Sequence, residues 1–436
     1  MILANGKILK SGDTKLVLKN LRTQVIQTLV KPGLNPLAVI KACDKLANKI
    51  TAGEYDHIIE NLQEEGIITS EQIEFVSQLL SKSHLMYKMK TELGNDCFFT
   101  DDWEPPYSNK ERKRKYYPLG VLFHIAAGNL DGLPAYSVIE GLLAGNINIL
   151  KLPGADKGLS ILLLSELIKI EPILADYIYV FDTPSNDIKA MKQMAYLSDG
   201  IVVWGGVEVV KAVRNQVSPD KKIIEWGHKI SFAYVTKNRL ADNKKEARQS
   251  LDHSLRGLAK HIFETNQLLC SSCQGIFIDT SDMNEVYEFS RRFIKILEET
   301  AKEFPRLDKG VRAQINLQLY NEELEGVSRE QRIYKGKGCS IIVRPKGQLG
   351  TSLMFGNCWT MPLPKEKIIQ RLYRYRGYLQ TIGLLSTEDE REEFVDIFAR
   401  AGAVRIMEGK DMSRMFLGEA HDGEYPLRRY SRLVEY

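Results

Sequence analysis

Gly120-Val-Leu-Phe-His-Ile125, Asn148-Ile-Leu-Lys151, Ile178-Tyr-Val-Phe181, Gly200-Ile-Val-Val-Trp204 and Lys222-Ile-Ile-Glu225 are five short runs that decide the fold. Each is almost wholly apolar. Residues 133–144, 159–170, 187–197 and 207–216 lie between them and repeat their apolar side chains at helical spacing. A strand wet on one face alternates apolar and polar residues, whereas a strand covered on both faces does not. Continuous apolar strands alternating with helices therefore predict βαβ units and a parallel sheet. Such sheets take their ligands at the carboxyl ends of the strands.

Working outward, a second αβ block follows. Residues 242–263 read as a long helix, 264–272 as a polar loop, Gln274-Gly-Ile-Phe-Ile-Asp279 as a strand and 285–302 as an amphipathic helix. Ser340-Ile-Ile-Val-Arg344 and Val404-Arg-Ile-Met407 read as later strands. Residues 1 to 95 read as mostly helical: Ile73, Val76, Leu79 and Leu80 recur at helical spacing behind Ser70. Asp101-Asp-Trp-Glu-Pro-Pro106 breaks any helix. Lys110-Glu-Arg-Lys-Arg-Lys115 reads as a solvated connector, or alternatively as an anion-steering patch. The sequence carries no internal repeat and no low-complexity segment.

The chain has 436 residues, 44% hydrophobic and 27% charged, the make-up of an ordinary folded protein of two or three domains. Disordered, collagenous and disulfide-scaffold classes are excluded. Sixty basic against 56 acidic residues leave a net charge of +4, which makes no case for a nucleic-acid partner. Six cysteines without a framework pattern fit a reducing compartment. No signal peptide is visible, and the most apolar stretches are shorter than the ~20 residues of a membrane span. A cytoplasmic location is expected.

Neither G-x-G-x-x-G after the first strand, nor a Walker A motif, nor H-E-x-x-H is present, so the usual dinucleotide and P-loop fingerprints are missing. Cys270 and Cys273 form a lone C-x-x-C without the second ligand pair that a zinc site needs. A redox pair and a buried loop cysteine are the bland alternatives. The other reading is a catalytic thiol, because a thiolate is both a strong nucleophile and a good acyl leaving group. Spacing alone does not choose between the two cysteines. Asn129, just past the first strand, is either a turn residue or an amide aimed at a developing oxyanion. Lys151 ends the second strand and faces the ligand crevice, or is a surface lysine. Gly205-Gly206 ends the fourth strand and opens a helix, a tight turn or a phosphate seat. Glu225 ends the fifth strand, where it either shuttles a proton or pairs with His228 or Lys229. His124, inside an apolar strand, reads as a satisfied core histidine.

The order of these residues is more specific than any one of them. It resembles the aldehyde dehydrogenase superfamily, whose phosphate turn also lacks G-x-G-x-x-G. More closely, residues 118–129, Leu133-Pro-Ala-Tyr136, Glu140-Gly-Leu-Leu-Ala-Gly-Asn146, Lys151-Leu-Pro153, Cys270-Ser-Ser272 and His421-Asp-Gly423 resemble the LuxC family of acyl-CoA reductases. The resemblance covers residues 116 to 436. It implies an α/β, aldehyde dehydrogenase-like fold: two Rossmann-like αβ lobes with parallel sheets and a helical N-terminal segment. The implied domains are a helical segment and connector (1–115), an NAD(P)-binding domain (116–240), a catalytic domain (241–410) and a C-terminal segment (411–436). It selects Cys270, three residues after Gln267, as the nucleophile. Asn129 and the Cys270 backbone N–H would form the oxyanion hole. Lys151 would contact the adenosine ribose or its phosphate, with Gly205 and Gly206 near the cofactor phosphates. Glu225 matches the base of hydrolytic aldehyde dehydrogenases. Trp226-Gly-His replaces the usual Leu-Gly-Gly, and Ser-Ser-Cys273 the usual Ser-Ser-Pro. The implied activity is reduction of an acyl thioester to aldehyde, the donor being acyl-CoA or an acylated partner protein and the chain a homo-oligomer. Hydrolytic aldehyde oxidation and a non-catalytic acyl-binding subunit are the rival readings. Small, uncharged Gly154 and Ala155 leave room for a 2′-phosphate, so NADPH is expected ahead of NADH, with Asp156 as the counterweight.

Overall fold

The computed structural model describes residues 1–64, 70–94, 103–104, 111–126, 132–154, 156–241, 244–325 and 330–436. Asn129, Ala155 and Asp242 lie outside them. The chain divides into two compact units, Met1–Gly227 with Phe416–Tyr436, and His228–Met415.

The first unit opens with β1 (Ile2–Ala4), β2 (Lys7–Leu9), α1 (Thr14–Leu29), α2 (Pro36–Thr51), α3 (Asp56–Glu64), α4 (Ser70–Leu80) and α5 (Lys82–Leu93). Next come β3 (Arg114–Pro118), β4 (Val121–Ile125), α6 (Leu133–Leu143), β5 (Ile147–Lys151), α7 (Leu159–Ile170), β6 (Ile178–Phe181), α8 (Ile188–Leu197), β7 (Gly200–Gly205), α9 (Val207–Gln216) and β8 (Lys222–Gly227). Its sheet runs β2-β1-β6-β5-β4-β7-β8. The five strands read from the apolar runs are the parallel ones. The parallel part starts at β4, steps outward through β5 and β6, then returns to β7 on the other side, so the topological switch point lies between β4 and β7.

The sheet is mixed, because β1 adds antiparallel to β6 and β2 to β1. The opening residues are therefore strand as well as helix. Ile2, Leu3 and Ala4 are too short a run to show a period, yet all three are buried as a sheet edge. Helix α2 begins at Pro36, with the Asn35 side chain accepting from the Leu37 N–H, a satisfied N-cap.

Most of the family-like motif residues here hold the fold. The side-chain oxygen of Asn146 accepts from the Gly120 N–H at 3.0 Å, and its amide nitrogen donates to the Tyr430 carbonyl at 3.0 Å. Gly141 must be glycine, because a Cβ there would fall 1.8 Å from the Asn148 side-chain oxygen. That oxygen also bonds the His124 ring at 3.0 Å, and the other ring nitrogen meets Ser137 Oγ at 2.8 Å. His124 is thus a satisfied core histidine, and burial pushes its pKa down to about 4.

The second unit contains β9 (Ile230–Val235), α10 (Lys237–Ala241), α11 (Lys245–Glu264), β10 (Cys273–Ile278), α12 (Met283–Thr300), α13 (Lys309–Glu325), β11 (Arg332–Gly336), β12 (Cys339–Val343), β13 (Asn357–Pro362), α14 (Ile368–Leu372), β14 (Leu379–Leu385), α15 (Glu388–Ala401) and β15 (Arg405–Met407). Its sheet runs β11-β12-β13-β10-β9-β14-β15, parallel except for edge strand β11. The border falls between residues 227 and 228 because β9 pairs with β10 and β14 of the second sheet. Residues 416–436 rejoin the first unit through α16 (Pro426–Arg429) and β16 (Ser431–Glu435), and β16 pairs antiparallel with β3. Among the described residues, no helix is long and apolar enough to cross a membrane.

Candidate active site

In the first unit, strand register brings the predicted cofactor residues to the carboxyl edge. Lys151 is the last residue of β5, beside Ile125 of β4 and Phe181 of β6. It is 5% exposed, and its ammonium donates to Ser185 Oγ at 2.8 Å. Burial lowers its pKa. An ammonium has three N–H donors, and Ser185 takes one. A buried cation at the carboxyl edge of the sheet suits an incoming anion. Gly205 ends β7, and Gly206 caps α9 in extended backbone at φ −68°. A Cβ at Gly206 would meet nothing within 4 Å. The protein itself does not crowd this position, which leaves the first amides of α9 approachable by a phosphate.

Glu225, on β8, is gripped by Arg214 of α9: Arg214 Nη2 donates to Oε2 at 2.8 Å and Nε to Oε1. The pair is lopsided in exposure, with Arg214 at 63% and Glu225 at 23%. Its partner is thus Arg214 rather than His228 or Lys229. Beside it, Trp226 explains the departure from Leu-Gly-Gly. The His421 ring lies 4.9 Å from the Trp226 ring and 5.1 Å from that of Trp204, and the Arg429 guanidinium lies 5.1 Å over Trp226. The large indole is the surface on which residues 416–436 settle.

The second unit holds the two cysteines in the turn between α11 and β10. Cys273 is the first residue of β10, fully buried, with its thiol 3.2 Å from the Gly275 carbonyl. Burial pushes this thiol up to about 12, so it stays protonated near neutrality and is a poor nucleophile. Cys270 is half-buried, and its surroundings are ordered by side chains. Ser231 Oγ donates to the Cys270 carbonyl at 2.7 Å and accepts from the Thr381 N–H at 2.9 Å. Ser272 Oγ accepts from the Leu269 N–H at 3.1 Å.

Gln267 is the hub of this turn. Its amide nitrogen donates to the Cys273 carbonyl at 2.9 Å and to Ser352 Oγ at 3.0 Å. Its side-chain oxygen accepts from the Gly356 N–H at 3.0 Å. Gln274 donates to the Gln267 carbonyl at 2.8 Å. Asn266 and Gln267 both adopt left-handed backbone, at φ 47° and 60°. Such residues cost roughly 1 kcal/mol each, and the surrounding hydrogen bonds over-determine them. His261 completes the set: its Nε2 accepts from the Cys273 N–H at 3.3 Å. Burial lowers its pKa to about 4, so it is neutral and can accept.

The sequence reading reached Gln267 only through its spacing from Cys270. It missed Ser185, Ser231, His261, Gln274 and Ser352. Ser185 follows the third strand and could have been found by asking what lies at that strand's carboxyl end. Ser231 and Ser352 act across long sequence separations, and Gln274 and His261, though seven and twelve residues from their partners, carry no local pattern that marks them. Among the described residues no cluster of three or more metal-ligating side chains occurs.

Two doubly wound units, one with a basic carboxyl edge and one with a buttressed thiol, define the aldehyde dehydrogenase fold. Solved structures agree. An NAD-dependent aldehyde dehydrogenase from Sinorhizobium meliloti matches with a TM-score of 0.74 at 13% identity, covering 100% of this chain and 94% of that one. Bifunctional proline utilization A matches with a TM-score of 0.71 at 15% identity over 99% of this chain, which spans only 45% of that longer protein. The model of the LuxC family, described as acyl-CoA reductase, matches residues 35–433, so the chain belongs to the LuxC family. The long-chain acyl-protein thioester reductase of Photobacterium phosphoreum is 27% identical over 379 residues, 83% of this chain and 71% of that one.

Proposed function

We propose that the chain reduces a fatty acyl thioester to the aldehyde through an acyl-enzyme on Cys270, with NADPH as the reductant. The observation that carries this reading is the contrast within the turn: Cys270 half-buried on a pinned support, Cys273 buried with its thiol held protonated. The Cys270 thiolate attacks the thioester carbon, and the donor thiol departs as thiolate. Bound NADPH would supply a hydride equivalent, and Cys270 would carry the thiohemiacetal oxyanion that reduction of its thioester leaves. Collapse re-forms the Cys270 thiolate and releases aldehyde. The Cys270 N–H and the Asn129 amide are proposed to hold the oxyanion in both tetrahedral species. Lys151, with Ser185, is proposed to hold the 2′-phosphate of NADPH, and the α9 amides behind Gly205-Gly206 the diphosphate. The donor is acyl-CoA or an acylated partner protein, and the P. phosphoreum relative is described as acting on acyl-protein thioesters. Cytoplasmic location and homo-oligomeric assembly belong to the same proposal.

The rival is hydrolysis of the acyl-enzyme by water activated at Glu225. The bidentate Arg214 pair favours reduction, since Glu225 would first have to leave a charge-assisted contact. Labelled acyl-CoA without cofactor should acylate wild type and Cys273→Ser but not Cys270→Ala, and adding NADPH should release aldehyde. Label lost in Cys273→Ser and kept in Cys270→Ala overturns the assignment. Fatty acid as the main product establishes hydrolysis.

A further inference from the structure

The outer side of α1 joins charge to apolar surface. Its inner side, with Val17, Leu18, Leu21, Val25 and Thr28, is buried. Lys15, Lys19, Arg22, Ile26 and Leu29 recur at alternating steps of four and three residues, which sets them along one side of the helix. All five are exposed, as is Val30 just past the helix end. Ile26, Leu29 and Val30 are each more than half exposed. A single apolar residue on a surface is ordinary, but an adjoining group of them marks a contact surface.

The neighbouring helix extends the same character. α8 lies beside α1, with the Gln193 amide donating to the Leu18 carbonyl at 3.0 Å. Its Lys189, Lys192 and Tyr196 are exposed, at a spacing that puts them on one side of α8. Neither helix contains an Asp or a Glu. The three basic residues of α1 and the two of α8 together outweigh the net charge of +4 carried by the whole chain. Among the described residues, no carboxylate pairs with any of these five cations.

We propose that α1 and α8 form a face that docks the protein peripherally on an anionic lipid surface. The cations meet lipid phosphates, Ile26, Leu29 and Val30 enter the acyl boundary beneath, and the Tyr196 ring lies at headgroup level. A nucleic acid would engage the cations and leave the apolar end of the stripe in water. A leaflet is anionic outside and apolar beneath, so it matches both halves. The inference goes beyond the reaction proposed above and does not depend on it.

Sedimentation of the purified full chain with vesicles tests it. Wild type should bind phosphatidylcholine vesicles containing about 30% phosphatidylglycerol at least roughly tenfold more tightly than phosphatidylcholine alone. Each Lys or Arg near an anionic leaflet contributes about fivefold, so Lys15→Gln, Lys19→Gln and Arg22→Gln combined should lower that binding about 100-fold. Ile26→Ser with Leu29→Ser should lower it about tenfold at unchanged charge. All five positions are exposed, so Tm should stay near wild type. Exposed Lys41 and Lys45 lie on α2, which packs against α6 and α7, and exposed Lys90 on its neighbour α5. Changing these three to Gln instead should alter binding less than about threefold, because screening confines the attraction to cations at the surface. Equal binding to both vesicle types overturns the proposal, as does an equal loss in the two triple variants. Binding to polyglutamate but to neither vesicle, lost in the α1 triple variant, assigns the face to an acidic protein and also overturns it.

Discussion

The two units solve the same problem at opposite edges of similar sheets. In the first, Lys151 and Gly205 sit where β5 and β7 end, and strand register alone carries them to the carboxyl edge. Lys151 is held there by Ser185. In the second, Cys270 precedes Cys273, the first residue of β10, so the thiol lies at the amino edge. No strand end delivers it there. Gln267, Ser231, Gln274, Ser352 and His261 build the support instead. A group placed by register is cheap to hold. A group placed by a turn with left-handed residues depends on a buried network in which every polar atom must stay satisfied.

Four substitutions sharpen or break this contrast. Asn129→Ala removes the proposed side-chain donor and should lower kcat about 100- to 1,000-fold while leaving NADPH affinity near wild type. Steady-state rates with cofactor titration check it, and a loss confined to NADPH affinity rejects the role. Gln267→Ala strands the Cys273 carbonyl, Ser352 and the Gly356 N–H together. Unmade buried hydrogen bonds cost about 1–3 kcal/mol each, so three together should lower Tm by at least roughly 6 °C, at about 2–4 °C per kcal/mol. Acylation by labelled acyl-CoA should slow about tenfold, with NADPH binding kept. A variant that melts early yet acylates at the wild-type rate separates the network from the nucleophile.

Lys151→Ala tests the other edge. It should weaken NADPH about tenfold and NADH by less than threefold, measured by fluorescence titration, because only NADPH loses a charged contact. The proposed preference for NADPH also has a pH signature. The Lys151 pKa is lowered by burial from 10.5, so the ammonium discharges at lower pH than an ordinary lysine. NADPH affinity should therefore decline on the alkaline side before 10.5, while NADH affinity stays flatter. The smallest effect belongs to Glu225→Gln. Its partner Arg214 is largely exposed, and such pairs contribute about 0.2–1 kcal/mol. Aldehyde formation should change less than threefold, and a far larger loss would return Glu225 to the chemistry.

The parallel core was legible because buried strands cannot hide their apolar runs: all five quoted segments are strands of the first sheet. The edges were not. β1 and β2 are three residues each, too short for a period to show, whereas β15, equally short, was read from Val404-Arg-Ile-Met407. The candidate site was legible where a residue type carries its own chemistry, as with Lys151 and Cys270. The choice between the two thiols needed a family resemblance at first, and burial now supplies a physical reason. Two pins of the thiol turn were illegible because they come from distant parts of the chain: Ser352 joins Gln267 across 85 positions and Ser231 joins Cys270 across 39.

The route of the chain has a consequence for synthesis. Residues 228–415 form one uninterrupted unit, whereas the first unit is completed only by residues 416–436. Leu427 donates its N–H to the buried carboxylate of Glu92 at 2.7 Å, and Tyr430 lies fully buried in the first core. As the ribosome delivers the chain, the first unit is begun first and finished last. A chain cut after residue 415 would therefore keep the second unit's sequence whole while leaving Glu92 and Asn146 of the first unit without the Leu427 and Tyr430 backbone groups that they bond.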